Sequence, residues 1–207
     1  MLSSKLIRWG GPASVLGGIG WILIWVHFLL THGPTQTNQM GRLLTLTAYD
    51  SAKLLVIPLL LFLIGLLSLR VRQSGRLSHL GLAGYVLALL GFAFLIIGVV
   101  LEFWFMPWGV YREAYWYTPL GQIAGLIQLL SGFITSAGMI LFGIAILRAK
   151  ALSHWSWLPL ILGLVLTASP WLHMTRYGGM FGLGWALLGY VLWSNQSKSA
   201  MQPKPAT

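Results

Sequence analysis

Residues 80–119 read LGLAGYVLALLGFAFLIIGVVLEFWFMPWGVYREAYWYTP. The first part, residues 80–101, is apolar throughout and spaced by glycine. About 20 such residues in a helix cross the roughly 30 Å of hydrocarbon in a bilayer. The second part turns acidic and aromatic. It carries Glu102 and Glu113, two of only three acidic residues in the chain, and a run of rings from Trp104 to Tyr117. Amphipathic rings at that density mark the level of lipid head groups, and a short interfacial helix over 103–117 is expected.

Five further stretches share this apolar character, so the expected fold is all-α, a bundle of six transmembrane helices. The expected spans are 13–30, 53–69, 80–105, 120–147, 152–172 and 177–193. Pro58 should kink the second span, and Pro159 and Pro170 lie within the fifth. The last two spans are short and closely connected, so a re-entrant hairpin is the alternative there. Lys5 and Arg8 before residues 13–30 resemble a signal peptide, but no small-x-small site follows. That segment is expected to remain as a membrane helix. The polar end, 194–207, has two prolines and is expected to be disordered. Asn195, Gln196 and Ser197 form a glycosylation sequon on the side where it would go unused.

Composition agrees with that class. Of 207 residues, 57% are hydrophobic and only 8% charged. A soluble domain carries about 25% charged residues, so lipid must solvate most of this surface. The net charge of +10 does not point to nucleic acid, because the basic residues sit between apolar segments rather than along one face. They read as topology signals and as anchors for membrane lipids. Lys5, Arg8, Arg70, Arg72, Arg76, Arg148, Lys150, Lys198 and Lys204 fall on one side. Arg42, Lys53, Arg112 and Arg176 fall on the other. Nine against four puts both termini in the cytoplasm, in a cell (plasma) membrane protein.

A faint repeat is present. FLIGLLSLR and a following Leu77-Ser78-His79 resemble LFGIAILR and a following Leu152-Ser153-His154. Duplicated hairpins would give that pattern.

Lipid offers no hydrophobic drive for helices to associate, so small residues must let backbones approach. Gly84, Gly91 and Gly98 share one helical face with Ala88 and Glu102. Gly121, Gly125 and Gly132 share another with Gln128 and Thr135, and Gly178, Gly182 and Gly189 a third. Such faces could pack the bundle, a homo-oligomer or a membrane-protein partner.

Polar side chains at membrane depth are costly, and here they gather toward the outer side. His27, Asp50, Lys53, Glu102, Arg112, Gln122 and Gln128 outline a candidate outward-facing pocket, with Thr167 and Ser169 nearby. Asp50 and Lys53 are spaced to pair on one helix, and Arg112 is a candidate partner for Glu102.

Catalytic signatures are missing. No H-E-x-x-H, G-x-S-x-G, P-loop or dinucleotide fingerprint occurs. The absence of cysteine excludes thiolate chemistry and disulfides. The five histidines form no metal motif, and His27 with His173 is the one pairing that could ligate haem. No catalytic residue, metal or cofactor is assigned. The expected role is a helix-packing accessory or assembly subunit of a membrane complex. The alternatives are a small permease or channel using the outer pocket, then a membrane enzyme or cofactor carrier.

Overall fold

A computed structural model describes residues 2–31, 48–73, 78–106, 117–149, 155–168 and 174–201. Most of these residues are helical, with no strand among them. The helices are α1 (Leu2–Thr31), α2 (Ala48–Lys53), α3 (Val56–Arg72) and α4 (His79–Trp104). They continue with α5 (Pro119–Ala149), α6 (Leu158–Ala168) and α7 (Met174–Met201). Four segments are long and apolar enough to cross a membrane: Lys5–His27, Asp50–Arg72, His79–Trp104 and Pro119–Ala149. Two shorter apolar helices lie at Leu158–Thr167 and Gly179–Ser194.

Local chemistry sets the boundaries. Ser78 caps α4 by accepting from the Gly81 N–H at 3.4 Å, and Thr118 caps α5 by accepting from the Gly121 N–H at 3.0 Å. Pro119 then takes the first helical position of α5, where a missing N–H costs nothing. Pro58 acts differently from a simple kink. It has no N–H to offer the Leu54 carbonyl, which accepts from Ile57 N at 3.0 Å instead. The chain tightens through Leu54 and Leu55, and α2 and α3 emerge as separate helices. Pro159 lies in the first turn of α6, so it begins that helix and does not interrupt it.

Two expected boundaries change. α6 has 11 residues, about 16 Å of helix; residues 155–157 of the expected 152–172 span form turns before it, and 152–154 and 169–172 lie outside the described residues. Conversely, α7 runs on to Met201, so residues 194–201 are helical where a disordered tail was expected. Ser194 Oγ bonds the Val191 carbonyl at 3.2 Å as that helix leaves its apolar part.

The helices run up and down, each packed on the next. α1 packs on α3, α3 on α4, α4 on α5, α5 on α6 and α6 on α7, and α7 returns to α1. The most extensive pairing is α4 with α5, followed by α1 with α7. The supposed repeat unit α3–α4 is a much lighter contact.

Small residues explain the two tight seams. A Cβ on Gly84 would come within 2.9 Å of the Gly138 carbonyl oxygen, and Gly91 faces the Thr135 backbone. In the other seam, a Cβ on Gly182 would lie 2.8 Å from the Gly18 carbonyl and one on Gly189 2.7 Å from the Gly11 carbonyl. Side chains larger than hydrogen would push those helices apart.

Aromatic rings fill the middle. Phe62 of α3 stacks on Trp185 of α7, with centroids 4.7 Å apart and planes at 18°. Phe92 of α4 meets Trp185 edge-on at 5.7 Å, and Phe181 meets Phe62 edge-on at 5.5 Å. Phe62, Phe92, Phe142, Met139, Leu188 and Trp185 are all fully buried. The outward faces carry Leu23, Leu126, Leu183 and other exposed apolar side chains, as lipid-facing helices do.

Candidate functional site

The antiparallel order puts His27, α2, Glu102 and Thr118 at one end of the bundle, and Ile7, Arg72, Ser78 and Arg148 at the other. The first end holds the polar groups singled out from the sequence.

His27, near the end of α1, has Nδ1 3.1 Å from Ser51 Oγ on α2. Ser51 is 4% exposed, so this contact lies inside the bundle end. Lys53 Nζ donates to Asp50 Oδ1 at 3.1 Å on the same short helix. That pair is about a third exposed on the lysine side and more on the aspartate side. Solvent or head groups screen it, and it is worth a few tenths of a kcal/mol.

Glu102 is the exceptional residue. It sits at the end of the α4 glycine face, 6% exposed, and its Oε2 accepts from Nε2 of Gln128 on α5. The α4–α5 seam makes this possible. Gly98 lies one turn before Glu102 and directly against the Gln128 side chain, so the amide reaches across without obstruction. Ser131 continues the network by donating to the Gln128 carbonyl at 2.7 Å. A carboxyl group this deep is costly unless hydrogen-bonded, and the amide of Gln128 supplies such a bond.

α2 packs against both α1 and α4, and it supplies Ser51 to the His27 contact. Gln122 is in the first turn of α5, exposed, with its N–H on the Thr118 carbonyl at 3.1 Å. Of the interfacial helix expected over 103–117, residues 103 and 104 end α4, while 107–116 with Arg112 lie outside the described residues, as do Ser169 and His173.

Among the glycines named from sequence, Gly84, Gly91 and Gly98 pack on α5, and Gly182 and Gly189 pack on α1. Gly121 is buried and Gly125 half-buried, whereas a Cβ on Gly132 would meet nothing within 4 Å. The α5 residues facing α4 are Gln128, Thr135, Gly138 and Phe142. Gly178 belongs to α7, and its surroundings lie outside the described residues.

Two polar features were not read from sequence. Ser136 of α5 bonds the Gly163 carbonyl of α6 at 2.8 Å and also meets Thr167 Oγ1. Gln73, at the far end of α3, is 3% exposed. Its signal was present: Phe62, Leu66, Leu69 and Gln73 recur at helical spacing on the buried face. Among the described residues, no group of three or more His, Cys, Asp or Glu could hold a metal ion.

No family model, no curated protein and no solved structure matches this chain.

Proposed function

We propose that this is a multi-pass protein of the plasma membrane, with six membrane segments and both termini in the cytoplasm. We further propose that it serves as a helix-packing accessory or assembly subunit of a membrane complex. The observation that carries the role is the filled interior. Phe62, Phe92, Phe142 and Trp185 are fully buried across α3, α4, α5 and α7, and such packing leaves no polar path down the axis. Several described intramembrane polar groups bond within the bundle, to one another as Glu102 and Gln128 do or to backbone carbonyls as Ser14, Ser131 and Ser136 do. What the molecule offers is a rigid helical body with apolar outer faces. Much of the glycine surface is spent inside, so a partner would meet those outer faces, including that of α5 around Gly132, rather than the stripe on α4.

A second reading is a small permease with an outward polar pocket. The buried Glu102 favours it, because ionisable groups inside membrane helices often mark a substrate or proton route.

Purification of a tagged chain from its native membrane in mild detergent separates the two, with mass determination of the intact particle and an absorption spectrum. A stoichiometric partner supports the subunit role. A particle containing only this chain overturns it, and transport measurements on Glu102→Gln and Lys53→Met variants then become decisive. A coloured particle would point instead to a cofactor carrier.

A further inference from the structure

The helices repeat a packing pattern. In the first half of the chain α1 packs extensively on α3, α3 packs lightly on α4, and α4 crosses to α5. In the second half α5 packs extensively on α6, α6 packs lightly on α7, and α7 crosses to α1. Details inside the halves agree. Ile57-Pro58-Leu59 near the start of α3 matches Leu158-Pro159-Leu160 at the start of α6. The Ser14 side chain of α1 lies against Gly65 of α3, and Ser136 of α5 bonds the Gly163 carbonyl of α6. α1 and α5 begin at opposite ends of the bundle, so the two halves are inverted relative to each other. The repeating unit is three helices rather than the hairpin expected from sequence.

Each half sends its third helix to the other, so the tight seams define two bodies that differ from the halves. α1, α3 and α7 make one, and α4, α5 and α6 make the other. Within each body glycine brings backbones together. A Cβ on Gly163 would lie 2.8 Å from the Ile140 nitrogen, as one on Gly182 would from the Gly18 carbonyl. Hydrogen bonds follow the same division. Arg72 Nη2 donates to the Ile7 carbonyl at 3.3 Å, joining α3 to α1. Glu102–Gln128 and Ser136–Gly163 join α4 to α5 and α5 to α6. Between the bodies it is side chains that meet. Phe92 of one faces Phe62 and Trp185 of the other, with centroids 6.4 and 5.7 Å apart. The atoms nearest a Cβ on Gly184 would all belong to the Leu162 side chain. Interlocked backbones cannot slide, whereas rings re-seat by changing rotamer. Lipid gives apolar surfaces no hydrophobic reason to stay together, so van der Waals contact holds the ring layer. α2 packs on both bodies at the Glu102 end, on α4 and, through the His27–Ser51 contact, on α1. The turn at Leu54 and Leu55 keeps it separate from α3.

We propose that the α1–α3–α7 body and the α4–α5–α6 body rock against each other across the layer of Phe62, Phe92 and Trp185. The Glu102 end and the Arg148 end of the seam open in turn, and α2 is the strap that holds the Glu102 end closed. Inverted halves give the two ends equivalent packing, which reciprocal opening requires. The filled interior is the closed arrangement of this seam. The motion deepens the permease reading and rests on it, because a path that opens at alternate ends serves a transported solute. The composition of the purified particle tests that reading, and distances across the seam test the motion.

The test uses the full chain in lipid vesicles, with nitroxide labels on pairs of introduced cysteines; no native cysteine interferes. Val26→Cys with Tyr117→Cys reports across the seam at the Glu102 end, and Trp9→Cys with Arg148→Cys at the opposite end. Val26→Cys with Trp193→Cys stays within one body, and Leu80→Cys with Tyr117→Cys within the other. All of these sites are exposed. Double electron–electron resonance should give one narrow distance for each within-body pair. The pair at the Glu102 end should show a second, longer distance in about 10% of molecules, the upper part of the usual range for a minor state. Ser51→Ala removes the contact of the strap with His27. It should raise the long-to-short ratio at that end about fivefold, the effect of one hydrogen bond, while the opposite pair moves toward its shorter distance. A single narrow distance for every pair, in the parent chain and in Ser51→Ala, would overturn the motion. Within-body pairs as broad as the crossing pairs would overturn the division into two bodies. Crossing pairs that lengthen together would overturn rocking, and a second distance that Ser51→Ala leaves unchanged would overturn the strap.

Discussion

The Glu102 carboxylate of α4 accepts a hydrogen bond from the Gln128 amide of α5, inside the tightest helix pair of the molecule. The bond exists because Gly98 lets the Gln128 side chain lie flat against α4. Gln128→Leu takes a donor from a buried acceptor and should destabilise the protein by about 1–3 kcal/mol. Glu102→Gln keeps a pair of hydrogen-bonding groups and should cost less. Unfolding in detergent ranks the two, and a cost for Gln128→Leu no larger than for Glu102→Gln would show that the pair contributes little.

Two glycines should behave oppositely on the same pair of helices. Gly84 faces the Gly138 carbonyl and the backbone of Phe142, so Gly84→Ala should overpack the seam and cost about 1–3 kcal/mol. Gly132 faces open space. Gly132→Ala should be neutral or stabilising by up to about 1 kcal/mol, because alanine loses less backbone entropy in a helix. Unfolding temperatures of the two variants check the contrast.

The aromatic core should be the most sensitive region. Trp185 is fully buried and stacked on Phe62. Trp185→Ala should cost about 3–5 kcal/mol. Trp185→Phe should cost clearly less, because it retains a ring and removes an indole N–H that has no hydrogen-bond partner. Equal losses in both variants, measured by thermal unfolding, would argue that the N–H is satisfied in the membrane.

The chain has no cysteine, so single introduced thiols report topology without background. Tyr117, 86% exposed, and Arg148, also exposed, lie at opposite ends of α5. On intact cells, Tyr117→Cys should react with a membrane-impermeant maleimide. Arg148→Cys should react only after the membrane is opened. Reversed labelling would invert the proposed orientation.

Much of the fold was legible in the sequence. The shortage of charge demanded an apolar solvent, and the long uninterrupted runs located α4 and α5 to within two residues. The glycines of α4 fell on one face because a 3.6-residue period aligns them, and Glu102 closed that face. The local hydrogen bonds were less legible. Pro58 divides α2 from α3 through the carbonyl of Leu54, a consequence that depends on the turn the chain makes there.

The candidate site was legible as a set of residues and not as a set of contacts. A helical period fixes where a side chain points around its own axis, but it carries no information about which helix stands opposite. The sequence alone therefore determined the helical, apolar character of the chain and its uneven charge between loops. Tertiary packing decided that α4 pairs most closely with α5 rather than α3, that Gln128 meets Glu102, and that Gly132 faces outward. It also buried Gln73 at the end of α3. Those outcomes depend on the close approach of backbones over glycine and on aromatic shape at the centre, which arise only once all the helices are in place.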